Sequence, residues 1–446
     1  MKKKVLLAIV LVVVLLGAGL GYAYFATDAL KSDKQLFFSY LLSDDFTKDL
    51  KDTNLEKYVE KQTNTTFENK GKITFEAPEQ GSAFDGLNML NSTTIDVEGK
   101  TNTAKKLAEQ KFTVELSQGV NIPIQYKRDG ETYGIQTKLL SDKFIAIKNE
   151  NLKTLADRFG IDTSNIPDNI TLSGLNFSDK EISKIKDKYS KVLYDNMTKD
   201  MFSKTKTKDQ TKVTMDVSAE QFINLIEKLA NALKEDKDLL NKLSAGTTVE
   251  DLKAQIDNFV GAIKETDTTD ADRVQIVLTI KSGELTECEI KTVTDNVAEI
   301  VAAIEKSDTK LVFYAYEDNE LVGQVSIEKF ANKDELSYIV GIKSNSDGEE
   351  VANIQIEMAY KNLAKLDDVE ETITTDIVYS DSSSTSSSTA DEKTSISVIY
   401  NNVVTFDSSL NIDAFNSNNA IIINDATDKE LQDLFLNVYR NFSGIQ

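Results

Sequence analysis

The hydrophobic pattern changes period along the chain, and each change marks a different kind of element. First comes an unbroken apolar run at residues 5–26. At 1.5 Å per residue it makes a helix of about 33 Å, enough to span a hydrocarbon core of about 30 Å. Over 32–64 the apolar residues recur at helical spacing. Leu36, Phe37, Tyr40 and Leu41 form a stripe, Leu55, Tyr58 and Val59 continue it after a polar break, and Ser32 with Gln35 has capping-box spacing. From Phe67 the period falls to two, which predicts strands over 67–76, 93–98, 106–116, 121–127, 132–139 and 143–148. Asp129-Gly130 reads as a type I′ turn, which needs positive φ at both central residues. The loop 79–91, with Phe84, Leu87, Met89 and Leu90, is apolar enough to tuck into a core or flank a cavity.

A helical block follows. Helices are predicted over 149–159, ended by Gly160, and over 178–202, opened by Ser178 with Glu181 three residues on. After a strand at 211–217, Ser218 caps a helix to about residue 236 with Phe222, Leu225, Ile226, Leu229 and Leu233 on one face. Another helix at 249–264 carries Leu252, Ile256, Phe259, Val260 and Ile263. The last part reads as a meander: 274–280 with 285–293 across Ser282-Gly283, 310–316 with 321–330 across Asp318-Asn319, and 336–342 with 351–360 across Asp347-Gly348. Residues 296–305 read as helix or irregular chain. Strands at 373–379 and 395–404 flank a serine-rich loop at 380–389, and Asp428 caps a closing helix at 429–442.

These elements predict an α+β fold: an N-terminal transmembrane helix, then large curved antiparallel sheets with amphipathic helices packed on one face. The regions are a basic cytoplasmic end (1–4), the transmembrane helix (5–26), a juxtamembrane helical segment (27–66), an N-terminal sheet region (67–160), a helical region (161–270) and a C-terminal meander with its closing helix (271–446). Length favours an uncleaved anchor over a cleaved signal peptide, whose apolar core is about 7–15 residues. Lys2, Lys3 and Lys4 precede the run, so the positive-inside rule leaves the N-terminus in the cytoplasm and the body outside a cell membrane crossed once.

The stretch TDALKSDKQLFFSYLL, residues 27–42, directly after the apolar run, resembles the opening of a group of uncharacterised membrane-anchored extracytoplasmic proteins of Gram-positive bacteria. That resemblance implies a location and no functional residue. The order of strands and helices also resembles, in pattern alone, the half-barrel lipoprotein-carrier folds, in which a curved sheet can enclose an apolar ligand.

Charge sharpens the picture. The chain has 51 basic and 73 acidic residues, a formal net charge of −22. Such a surface repels nucleic acid and anionic lipid, and a polyanionic partner is not expected. Chemistry narrows by elimination. There is no histidine, so imidazole-based hydrolysis and imidazole metal ligation are absent. The single cysteine, Cys288, makes no internal disulfide and alternates with Ile290 on one strand face, as a buried thiol would. The acidic loop DTTDAD, 267–272, lacks the glycine and terminal glutamate of an EF-hand. No catalytic, cofactor-binding or metal-binding residue is assigned, and no cofactor is implied. The reading is a non-enzymatic binding or scaffolding module of the bacterial cell envelope, with the membrane and an apolar ligand or envelope protein as partners. Two alternatives stay open: a carrier or sensor of an apolar ligand such as a lipid, with a cavity between the 84–90 loop and the 222–233 helix, and an envelope hydrolase using Ser/Lys or carboxylates.

Overall fold

The computed structural model describes residues 31–43, 45–77, 90–91, 93–116, 119–162, 179–243, 248–265, 268–269, 271–346, 349–380 and 393–443. The apolar run at 5–26, most of the apolar loop, Ser178, the Asp347-Gly348 turn and the serine tract lie outside them. Among the described residues no helix is long and apolar enough to cross a membrane.

In chain order the elements begin with α1 (Asp33–Leu41), α2 (Thr53–Asn64), β1 (Phe67–Glu76), β2 (Thr94–Asn102), β3 (Leu107–Glu115), β4 (Asn121–Asp129), β5 (Thr132–Thr137) and β6 (Ser141–Lys148). They continue through α3 (Leu152–Arg158), α4 (Asp179–Asn196), β7 (Phe202–Lys206), β8 (Thr211–Ser218), α5 (Ala219–Lys234), α6 (Lys237–Leu243) and α7 (Val249–Lys264). The rest are β9 (Arg273–Lys281), β10 (Glu284–Thr294), β11 (Val297–Lys306), β12 (Lys310–Glu317), β13 (Glu320–Ala331), β14 (Glu335–Ser346), β15 (Glu349–Lys361), β16 (Val369–Ser380), β17 (Lys393–Phe406), β18 (Ala420–Ile422) and α8 (Asp428–Ser443). The class is α+β, dominated by antiparallel sheet.

The chain divides into two compact units, each assembled from separated segments. The first comprises Met1–Lys51, Thr171–Glu328 and Ile342–Glu350. Its strands pair antiparallel in the order β7-β8-β9-β10-β11-β12-β13, and among the described residues β7 pairs with β8 alone. Register aligns apolar side chains across the sheet: Met215 faces Ile276, which faces Ile290, and Val213 faces Leu278, which faces Cys288 and then Ile304. These residues form one core with the apolar stripes of α1, α4, α5, α6 and α7. Phe222, Leu225, Ile226, Leu229 and Leu233 of α5 are all buried there, so that helix face is filled by packing. Capping boxes start α5 (Ser218 with Gln221) and α7 (Thr248 with Asp251).

The second unit comprises Asp52–Ile170, Lys329–Gly341 and Val351–Gln446. Its strands run β15-β16-β17-β1-β2-β3-β4-β5-β6 antiparallel, with β18 added parallel to β6. Tyr58 of α2 is buried against this sheet, edge-on to Tyr360 and Phe406, and its hydroxyl donates to Glu371 Oε1 at 2.7 Å. Asn402 Nδ2 donates to the other oxygen of the same carboxylate, also at 2.7 Å. Gly71 makes room for this group: a Cβ there would lie 2.7 Å from the Asn401 carbonyl oxygen and from the Tyr400 ring.

Five expectations are corrected. The helix expected over 32–64 is two helices, because Asp52 caps a fresh start at Asn54 and Leu55 while Asp45 is drawn off to accept from the Leu285 N–H. Residues 296–305 form strand β11, reached through a turn with positive φ at Asp295 and Asn296 and paired on both sides; sheet neighbours override a sequence compatible with helix. The β4–β5 turn holds Gly130 and Glu131 in place of Asp129-Gly130, with positive φ at Gly130 alone. The helix expected to reach residue 202 ends at Asn196, and Phe202 opens β7. The last helix takes Thr427 as its cap: Glu430 N donates to Thr427 Oγ1 and Thr427 N to the Glu430 carboxylate, so Asp428 is its first residue.

Candidate functional site

Two concave surfaces flank α1 in the first unit. Ser32 caps that helix reciprocally with Gln35: Gln35 N donates to Ser32 Oγ at 3.3 Å and Ser32 N to Gln35 Oε1 at 3.0 Å. Leu36, Phe37, Phe38 and Tyr40 are then carried into the core. Lys34 goes inward with them. Its Nζ donates to the carbonyl oxygens of Tyr194 at 2.6 Å and Met197 at 2.7 Å, and sits 3.8 Å from the Tyr194 ring centroid. A cation at a helix C-terminus answers both the unpaired carbonyls and the negative end of the dipole. Burial lowers the Lys34 pKa from its ordinary value, with Asp195 opposing.

Between α1 and α4 lies a cleft of about 530 Å³. Phe38 and Leu42 line it from α1 and Tyr194 from α4, the Phe38 and Tyr194 rings meeting edge-on at 5.2 Å. Lys31, Asp187, Lys191 and Asp195 also line it, with Lys191 and Asp195 paired at 2.9 Å. An apolar cleft bearing charged groups of both signs suits an amphipathic ligand.

A second recess, of about 340 Å³, lies on the other flank of α1. Leu36 and Tyr40 line it together with Ile280, the β9–β10 turn at Ser282-Gly283, and the β7–β8 hairpin with Lys204, Lys206 and Lys208. Tyr40 Oη donates to the Gly283 carbonyl at 3.3 Å and ties α1 to that turn.

No protein-family model matches the chain, and no curated protein matches it. Among solved structures it is similar to a monoaromatic hydrocarbon channel, CymD, at 8% identity and a TM-score of 0.14, over 81% of this chain and 92% of that one. It is also similar to transferrin binding protein B of Haemophilus parasuis, at 6% identity and a TM-score of 0.14, over 77% of this chain and 76% of that one. An anion-selective porin of Comamonas acidovorans gives 9% identity and a TM-score of 0.11, over 76% and 98%. Likeness at this level carries no argument about fold or activity.

Of the residues weighed from sequence, Cys288 lies in the core and burial, then the neighbouring Glu289 and Glu287, push its thiol up to about 12. A thiol held protonated is a poor nucleophile. In the acidic loop, Asp272 accepts from the backbone N–H of Thr269 at 2.8 Å and from the Thr294 hydroxyl at 3.0 Å, so it staples the loop before β9. Asp267 and Asp270 lie outside the described residues. Among the described residues no three acidic or thiol side chains gather as a metal site. Sequence reasoning missed the Glu371 group, whose members are scattered over more than 300 positions and meet only through strand register. It also missed the lysine-lined recess, which the alternation Lys204-x-Lys206-x-Lys208 on an acidic chain could have signalled.

Proposed function

We propose that the chain is a single-pass, membrane-anchored extracytoplasmic protein acting as a non-enzymatic binding or scaffolding module of the bacterial cell envelope. The observation that carries this reading is the apolar run at 5–26, preceded by three lysines and followed within six residues by the Ser32 cap of a helix built into a core. The resemblance of residues 27–42 to the opening of anchored Gram-positive proteins supports the same placement. With so short a connection, the first unit sits close to the outer membrane–water boundary. Protease added to intact cells is expected to cut near residues 27–33 and release the body; complete protection would overturn the orientation.

The cleft between α1 and α4 favours a second reading, a carrier or sensor of an amphipathic ligand such as a lipid. Native mass spectrometry of the gently extracted protein is then expected to show a bound lipid that Tyr194→Ala, at a cleft residue with an exposed ring, displaces. An unliganded mass for the unsubstituted protein would remove this reading and leave the first intact.

A further inference from the structure

We propose that the recess between α1 and the β7–β8 hairpin binds a phosphate-bearing anion. Residues 202–212, FSKTKTKDQTK, hold four lysines and one aspartate in a chain of net charge −22. Three of those lysines, at alternate positions, line one recess. The fourth, Lys212, faces Thr279 across the β8–β9 register and is outside it.

The acidic groups nearby are accounted for. Asp33 lies 3.6 Å from Lys204, Glu284 is held 2.7 Å from Lys48, and Asp209 lines the recess beside Lys208. Lys206 and Lys208 have no ion pair among the described residues, so a positive excess remains there. Lysine ammonium groups bind phosphate as point charges, and Ser282 lines the same recess with a hydroxyl group. A space of about 340 Å³ accommodates a phosphate with a short ester such as glycerol. Such a group could come from an anionic lipid headgroup or from a soluble phosphate ester; only the lipid source rests on the membrane-anchored reading.

The test uses full-length protein in dodecyl maltoside, titrated calorimetrically with inorganic phosphate against a chloride-balanced buffer. Saturable binding is expected, and Lys206→Ala with Lys208→Ala should weaken it by about tenfold or more, since both charge-assisted contacts are removed. Lys212→Ala, with the same charge change on the same hairpin, should leave it unaltered. No saturable heat, or an equal loss in Lys212→Ala, overturns the site. Repeating the titration in nanodiscs separates the sources: weaker phosphate binding in phosphatidylglycerol than in phosphatidylcholine discs assigns a lipid headgroup, and equal binding assigns a soluble ester. Failure of the anchored reading would show in the protease experiment and leave the detergent titration untouched.

Discussion

Asp272 illustrates how much one side chain does at a junction. It is buried between the end of the α7 loop and the start of β9, and its carboxylate accepts from Thr269 on one side and Thr294 on the other. The Thr269 backbone N–H, ahead of the hydroxyl groups, holds its pKa below the usual aspartate value. Because the folded state holds this carboxylate more tightly than the unfolded chain does, its stabilisation is fully present above the ordinary pKa of about 3.9. It is lost as pH falls through that value toward the lower folded one. Urea denaturation of Asp272→Asn should therefore show reduced stability at pH 7 and a shallower decline below pH about 4 than the unsubstituted protein. Parallel pH profiles for the two would show that Asp272 contributes nothing to the acid limb. Lys34 makes the complementary point: nothing in its spacing distinguished it from a solvent-facing lysine, because the carbonyls that receive it lie 160 residues away.

At the level of elements, the hairpin turns carry the register of the first unit. Ser282-Gly283, Asp295-Asn296 and Asp318-Asn319 all have positive φ at both positions and join strands through two-residue loops. That is the type I′ geometry matched to strand twist. A β-branched residue pays about 1–2 kcal/mol in the left-handed region, so Asn319→Val should lose about that much stability in chemical denaturation while Asn319→Gly loses none. Equal stabilities would show that the turn does not constrain the hairpin. Ser282-Gly283 and Asp318-Asn319 were legible in sequence because Asn, Asp and Gly at the centre of alternating runs have a local cause; Asp295-Asn296 was not, because the run after it was read as helix or irregular chain. Strands β1 and β9 and helix α7 were legible for the same reason, their periods being strong and their caps or turns explicit. Strand β11 was not: its alanine-rich sequence suits either period, and pairing with β10 and β12 decides the matter. The Glu371 cluster was illegible throughout, since α2, β16 and β17 supply its parts.

Across the whole molecule, neither unit is a continuous stretch of chain. The first draws on three segments and so does the second, with the chain passing between them repeatedly. A linear reading divides the chain by composition and period and so cannot see this: segments that share a core need not share a neighbourhood in sequence. Such long-range closure also makes folding slow, because loop entropy is spent before the contacts that offset it are made. The candidate surfaces follow the same logic. The α1–α4 cleft joins residues near 38 to residues near 190, and the lysine-lined recess joins residues 36–40 to 204–211 and 280–283. The lysines of β7 have a further consequence, apart from any ligand. A strand with a partner on one side alone exposes a row of backbone donors and acceptors that could template a strand from another molecule. Among the described residues β7 has such a margin, and ammonium groups at its alternate positions Lys204 and Lys206 would make two copies repel each other there, which disfavours edge-to-edge pairing.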